Sequence, residues 1–386
     1  MTEDPHLPQA PPPWSPPGQA VPTPPAPRRR RRWPWVILVV FALAVAVSSR
    51  INLNYYALQP GTAQSVQQFI TVPSDKAHTV RHPVLLTDVE IGRVTALSYL
   101  FFKAQSDTAF EEVASVTGGT LPSELGAQGT LEMSQAETDA KVAALRRLGY
   151  PVPATPSGAV IAGTFAGTPA DGVLDVGDVI TAVDGVTTPS ALALTQELSK
   201  FHSGQSVTLS VRRGGTAAAT PVVVRLRSTV INLGYGPNGK GPYAHVTLGI
   251  EPEDQIDYTF PFPVSINVTD IGGPSAGLAM TLGVIDTLDN GSLTGGRTVA
   301  ATGTIDAQGD VGDVGGVAQK TVAVENAGAT IFLVPPEEYK AAMSEDRPSL
   351  KVFAVSTLSQ ALAVLAAHGG LVPPAVTTTT STVPPG

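Results

Sequence analysis

An α+β fold behind a single N-terminal transmembrane helix is what this sequence predicts, and three observations predict it. Trp33 to Ser49 form an uncharged apolar run directly after five arginines, Arg28 to Arg32. Residues 153–228 read as short β segments separated by glycine turns, with one helix among them. The last third then carries helices that follow directly on glycine turns. At 386 residues the chain is long enough for two or three domains, and 42% apolar residues can build ordinary cores. A net charge of −8 argues against a nucleic-acid partner. With no cysteine there is no disulfide, no thiolate ligand and no thiol nucleophile. None of the six histidines lies in an HExxH motif, so neither metal nor cofactor is expected.

Residues 1–32 are crowded with proline and end in the basic cluster, which predicts a disordered cytoplasmic arm. Residues 33–49 have no charge over a length at the short end of what crosses a bilayer, roughly 17–25 residues. Trp33 and Trp35 suit an interface, Arg50 suits snorkelling at the far end, and the lopsided basic flank puts the N-terminus in the cytoplasm. The expected location is therefore the cell membrane, single-pass, with the rest of the chain outside the cytoplasm and the bilayer as a partner. A cleaved signal peptide is the competing reading, because Ala44-Val45-Ala46 resembles a cleavage site. At the other end, residues 372–386 read as a disordered Thr/Pro tail.

Residues 50–150 read as a mixed α/β segment without a chemical motif. Alternation predicts strands near Val66–Val72 and Val84–Val89, and a helix over Ser134–Leu148 that stops at Gly149. Residues 151–230 carry Gly158-Ala159-Val160-Ile161, Thr168-Pro169-Ala170, Gly177-Asp178-Val179-Ile180 and Val183-Asp184-Gly185, with a helix near Ser190–Lys200. In that order they resemble a PDZ domain of the kind found in bacterial proteases. The resemblance implies a peptide-binding strand at Gly158, Ala159, Val160 and Ile161, with backbone amides for a terminal carboxylate.

Residues 231–371 hold the chemistry. Gly272-Gly273-Pro274 leads into a helix beginning near Ser275, apolar nearly all round. A serine there serves either as an N-cap or as a nucleophile whose neighbouring amides hold an oxyanion. Downstream, Gly315-Gly316 precedes a helix on which Val317, Ala323, Val324 and Ala327 lie within about 60° of Lys320. Gln319, Glu325 and Asn326 lie on the other side. A lysine on a buried face either snorkels outward or loses its charge and becomes a base for a serine hydroxyl.

The order GGPSAG, then TGTI, then GDVG, then GGVAQK closely resembles the proteolytic domain of the Lon family of serine–lysine endopeptidases. Its small membrane-anchored, PDZ-containing bacterial branch is more similar still. The resemblance implies Ser275 as nucleophile, Lys320 as general base, Thr302 as the residue orienting the lysine, and Gly273, Pro274 and Ser275 as the oxyanion region. It also implies protein or peptide substrates, a homo-oligomer, and a fold combining a Lon-type proteolytic domain with a β-rich PDZ domain. Two departures stand out: Gly272 occupies a position that is acidic in full-length Lon proteins, the nearest acid being Asp270, and the AAA+ ATPase domain is missing. Gly234, Gly239 and Lys240 satisfy a P-loop spacing, but Gly241 follows where a Ser or Thr is needed for magnesium, so the segment reads as a glycine-rich loop and no ATP requirement is expected.

Two rival functions remain open at this level. Gly273-Pro274-Ser275-Ala276-Gly277 also satisfies the nucleophile elbow of α/β-hydrolases, with His368 as the only downstream histidine, though repeated strand–helix units are not evident. The other rival is a non-catalytic PDZ scaffold with a degenerate peptidase domain.

Overall fold

The computed structural model describes residues 33–105, 107–117, 124–214, 218–232, 243–268, 271–344 and 347–374. The proline-rich arm, the glycine-rich loop at 234–241, Asp270 and the tail from 375 onward lie outside the described residues. The chain divides into two compact units, residues 1–48 and 49–386.

In the first unit the described residues form helix α1, Trp33–Ser48, apolar and with no buried residue. Its 16 residues extend about 24 Å at 1.5 Å each, against a hydrocarbon core of about 30 Å. Among the described residues no helix is long and apolar enough to cross a membrane. The expected transmembrane helix is thus present as a shorter apolar helix and not as a membrane-length span.

The second unit opens with β1 (Asn52–Ser65) and β2 (Val84–Thr95), a long antiparallel pair. Helix α2 (Ala96–Lys103) follows, its start fixed by a capping box in which Thr95 and Ser98 exchange side-chain and backbone bonds. Strand β3 (Ala109–Glu112) pairs on the far side of β1. Helix α3 runs over Leu125–Arg147, nine residues earlier than the predicted start at Ser134. Its buried residues Met133, Ala136, Ala140, Ala143 and Ala144 recur at helical spacing, so one stripe faces the core. Of the strands expected near Val66–Val72, only Ile70–Thr71 forms; Val66–Phe69 is a 3₁₀ turn.

Strands β4 (Ala154–Thr164), β5 (Val179–Val183), β6 (Ser206–Arg212) and β7 (Ala219–Arg225), with helix α4 (Ala191–Leu198) capped by Ser190, then build a separate sheet. Its order is β8-β4-β5-β6-β7, where β8 is Ile250–Tyr258. A predicted boundary at 231 is therefore displaced: β8 pairs with β4 along its length, and the sheet closes only at Tyr258.

Helix α5 (Gly277–Leu288), β9 (Val299–Ala301), helix α6 (Val317–Asn326), β10 (Ile331–Val334), helix α7 (Tyr339–Ala342), β11 (Lys351–Ala354) and helix α8 (Leu358–Ala367) complete the chain. The large sheet runs β11-β10-β9-β2-β1-β3. Residues 50–150 are thus no separate segment: β1, β2 and β3 form half of the sheet that β9 to β11 complete, and Val84 pairs with Val299 in parallel. Contrary to expectation, strand–helix units do repeat, because β9, β10 and β11 are parallel with α6 and α7 between them.

The two faces of this sheet have different covers. Val84, Leu86, Val299, Ala301, Ile331 and Leu333 join the main core with α3 and α5. Ala300, Phe332 and Val334 turn to the other face, against Val317 and Val324 of α6. A period of two in the strands with apolar cover on both sides explains why β10 reads as an unbroken apolar run. The tail expected from 372 stays docked two residues further, since Arg147 donates to the carbonyls of Pro373 and Pro374 at 2.6 and 2.5 Å.

Candidate active site

The helices from opposite faces of the large sheet converge at the carboxyl end of β9. Residue Thr302 follows that strand immediately and is fully buried. On one side the chain reaches Gly273, with φ of 87°, a left-handed conformation that a side chain would strain. A single 3₁₀ turn, Pro274–Ala276, then leads into α5. The turn is pinned from below. Gly303 N donates to the Ser275 carbonyl at 2.9 Å, Leu278 N donates to Gly303 O at 3.1 Å, and Thr302 Oγ1 donates to the Ser275 carbonyl at 3.2 Å. Gly277 is what permits this approach, since a Cβ there would stand 2.8 Å from Ile305 N. Ser275 is half-buried and does not cap the helix; the N-cap position is Ala276, without a side-chain bond.

On the other side α6 begins at Gly316, in the left-handed region, and carries Lys320 inward to 2% exposure. Lys320 Nζ donates to Thr302 Oγ1 at 3.2 Å. One hydroxyl therefore accepts from the lysine and donates to the serine main chain, using both capacities of a threonine. Burial pulls the lysine down to about 8 from its ordinary 10.5, while the nearby carboxylates of Asp88 and then Glu338 pull it part of the way back. A large fraction of uncharged amine is thus present in mildly alkaline solution. Snorkelling, the other sequence-level option for Lys320, is not what the helix does.

Three neighbours escaped the sequence reading. Asp88 lies on β2 and Glu338 just before α7, and only the folded sheet brings them to Lys320. The third is α3, whose Gly129 carbonyl accepts from Gly273 N at 3.0 Å. One turn on, Glu132 reaches towards Gly273. Burial raises its pKa, and repulsion from Glu253 and Glu251 adds to this against the opposing Gln128 hydrogen bond. Gln319, assigned to the outer side of its helix, is buried and donates to the Asp107 carbonyl at 3.3 Å. His368 caps the far end of α8, its ring against Phe353 and its Nδ1 2.8 Å from Val364 O.

The residues expected to bind peptide are placed differently. Gly158, Ala159, Val160 and Ile161 lie in β4, which pairs with β8 on one side and β5 on the other. Ala159, Val160 and Ile161 are buried, and a Cβ on Gly158 would stand 2.7 Å from Val179. Neither edge of β4 is open at that point, so an added strand has nowhere to pair there. The outer strands of that sheet are β8 and β7.

Residues 262–367, which hold Ser275, Thr302 and Lys320, match the family described as Lon protease (S16) C-terminal proteolytic domain, and residues 132–224 match the PDZ domain. The chain carries a Lon-type proteolytic domain together with a PDZ domain. Lon protease 2 of Bacillus subtilis (strain 168) is 34% identical over 116 residues, 30% of this chain and 20% of that protein. The Lon protease of Chloroflexus aggregans is 26% identical over 203 residues, 50% of this chain and 22% of that protein. The Lon protease of Clostridioides difficile is 45% identical over 65 residues, 17% of this chain and 8% of that protein. The chain thus spans about a fifth or less of the length of the Lon proteases it matches first. Among solved structures, the PDZ domain of an SdrC-like protein from Listeria monocytogenes aligns with 25% of this chain and 87% of that chain, at 20% identity and a TM-score of 0.19. The Lon-type match begins at 262, yet its sheet borrows β1 and β2 from residues 52–95, and the PDZ match ends at 224, before β8.

Proposed function

We propose that this chain is a serine endopeptidase that hydrolyses polypeptide segments without ATP, with Ser275 as nucleophile and Lys320 as general base. The observation that carries the proposal is the bonded path from Lys320 Nζ through Thr302 Oγ1 to the Ser275 main chain, around a buried lysine pulled down to about 8. In the reaction the uncharged amine takes the Ser275 hydroxyl proton as the oxygen attacks a peptide carbonyl. The tetrahedral oxyanion collapses as the amine leaving group takes that proton from Lys320. Water, deprotonated by the same lysine, then cleaves the acyl-enzyme and restores Ser275. Pro274 has no amide, so Ser275 N is the donor within the turn, and Gly273 N joins it on leaving Gly129.

Peptide docking on the PDZ sheet belongs at its outer strand β8, beside α4, whose Ala191 N already bonds Asp254 of β8 at 2.8 Å. The remaining parts of the proposal are a tether through α1 and the arginines before it, a catalytic unit outside the cytoplasm, and assembly with copies of itself. The deciding assay uses the full chain in lipid vesicles, an unstructured protein substrate and no nucleotide. Cleavage is expected from the parent and none from Ser275→Ala or Lys320→Ala. Turnover that persists in either variant overturns the dyad, and loss in His368→Ala instead points to the hydrolase alternative.

A further inference from the structure

Thr87 on β2 is 2% exposed, and its hydroxyl oxygen is buried without a hydrogen-bond partner among the described residues. The large majority of buried polar side-chain atoms are bonded, because a hydroxyl stripped of water and left unpaired destabilises the fold. Valine would fill the same space without that cost. The orphan therefore points to a partner that arrives in another state of the molecule.

Strand register identifies the partner. Leu86 stands beside Ala301 in the parallel pairing of β2 with β9. One residue on, Thr87 comes level with Thr302, a strand spacing of about 4.8 Å away. The two side chains share a face of the sheet. Leu85 and Ala300, two residues before each of them, belong to the cluster that Val317 and Val324 of α6 cover. Across β1, Thr87 is opposite Ala63, which packs against the same cluster. On that face Thr302 holds the Lys320 nitrogen at 3.2 Å. The carboxylates acting on that nitrogen are Asp88, the next residue along β2, and Glu338, ahead of α7. Thr87 thus borders the lysine head group from β2 as Thr302 borders it from β9.

Protonation changes what that head group needs. A neutral amine has two N–H donors and keeps its lone pair for the Ser275 proton, whereas the ammonium has three donors and no acceptor. Thr302 Oγ1 accepts from one, its own hydrogen being committed to the Ser275 carbonyl. The second is the proton taken from Ser275, which faces the serine and then the leaving amine. A third donor is left over, and Thr87 Oγ1 is an acceptor with nothing to accept.

We propose that Thr87 is a positioning residue of the Ser275–Lys320 pair, its hydroxyl accepting the third N–H of the Lys320 ammonium that forms as the serine attacks. This rests on the dyad reading and adds a partner that works only in the charged state. A group that bonds the ammonium and is idle beside the free amine lowers the barrier to proton transfer and raises the lysine's affinity for protons.

Thr87→Val and Thr87→Ser are compared with the parent as full chains. Cleavage of an unstructured protein is followed from about pH 6 to 10, and thermal unfolding from about pH 7 to 10.5. Thr87→Val is expected to cut kcat about tenfold. It should also move the alkaline rise of kcat/KM, set by the lysine at about 8, down by about half a unit to one unit. Thr87→Ser keeps the hydroxyl and should keep both. At about pH 10.5 Lys320 is neutral folded and unfolded, and the valine variant, rid of an orphan, should be at least as stable as the parent. Below about 8 the folded lysine is charged, and that advantage should be lost with the acceptor. A valine variant with the parent's pH profile, or one whose stability gain is the same at every pH, overturns the role of Thr87 whatever its kcat. Cleavage that persists in Lys320→Ala while the melts change as stated overturns the dyad and leaves the bond between Thr87 and Lys320 standing.

Discussion

Lys320 is an expensive residue to bury, and its energetics can be separated from its chemistry. Its folded pKa of about 8 lies below the unfolded value near 10.5, so above pH 10.5 both states are neutral and no penalty remains. As the pH falls towards 8 the unfolded chain takes up the proton first, and stability declines. Lys320→Met is therefore expected to abolish cleavage yet raise stability by about 1–3 kcal/mol at pH 7, a gain that shrinks towards pH 10.5. Thermal unfolding of both proteins across that range checks it. Activity of the parent should rise with pH through about 8 as the free amine appears. Thr302→Val keeps the shape but removes the hydroxyl between lysine and serine, and is expected to cut kcat about tenfold to a hundredfold, the worth of one buried bond to a charged group. Ser275 and Lys320 were legible in the sequence itself, because a glycine turn and a helical stripe mark them locally, whereas Thr302 was implied only by the resemblance to the Lon family. Asp88, Gly129, Glu132 and Glu338 were not, since nothing near them in sequence signals what they face.

At the level of elements the reading failed where tertiary contact overrode local preference. Gly126 and Gly129 each cost a helix about 1 kcal/mol relative to alanine, which is why the sequence places the start of α3 after them. In the fold, Gly129 packs against Gly272 and Gly273 and its carbonyl accepts from Gly273 N at 3.0 Å, a tertiary contact that the longer helix makes. The open edge of the PDZ sheet was misplaced for a similar reason, as β8 comes from far beyond the glycine-turn pattern that identified the domain. The same logic yields a test on α5. Gly277→Ala puts a methyl 2.8 Å from Ile305 N and 2.9 Å from its Cγ2. Helix propensity alone favours alanine by about 1 kcal/mol, but overpacking against backbone is expected to cost about 1–3 kcal/mol and to displace Ser275. Lower unfolding temperature together with lower kcat is the expected outcome; a stabilised, fully active variant would show that α5 is not clamped there.

For the molecule as a whole, the PDZ sheet is an insertion in a proteolytic unit whose two parts share one core. Its entry and exit meet, because Thr259 N donates to Pro153 O at 3.0 Å and the rings of Tyr150 and Phe262 pack at 5.1 Å. Replacing 154–258 by a short turn is expected to leave a folded unit with an intact large sheet, as judged by circular dichroism and a cooperative melt. The parallel pairing of β2 with β9 also has a consequence for biosynthesis. At roughly 5–20 residues per second, about 10–40 s separates the emergence of Thr95 from that of Val299. Throughout that interval Val84 and Leu86 belong to a half-built sheet, and neither Thr302 nor Lys320 yet exists. The nascent chain is therefore unable to cut itself or its neighbours, and for the same reason it is at its most vulnerable to aggregation, until its final quarter arrives.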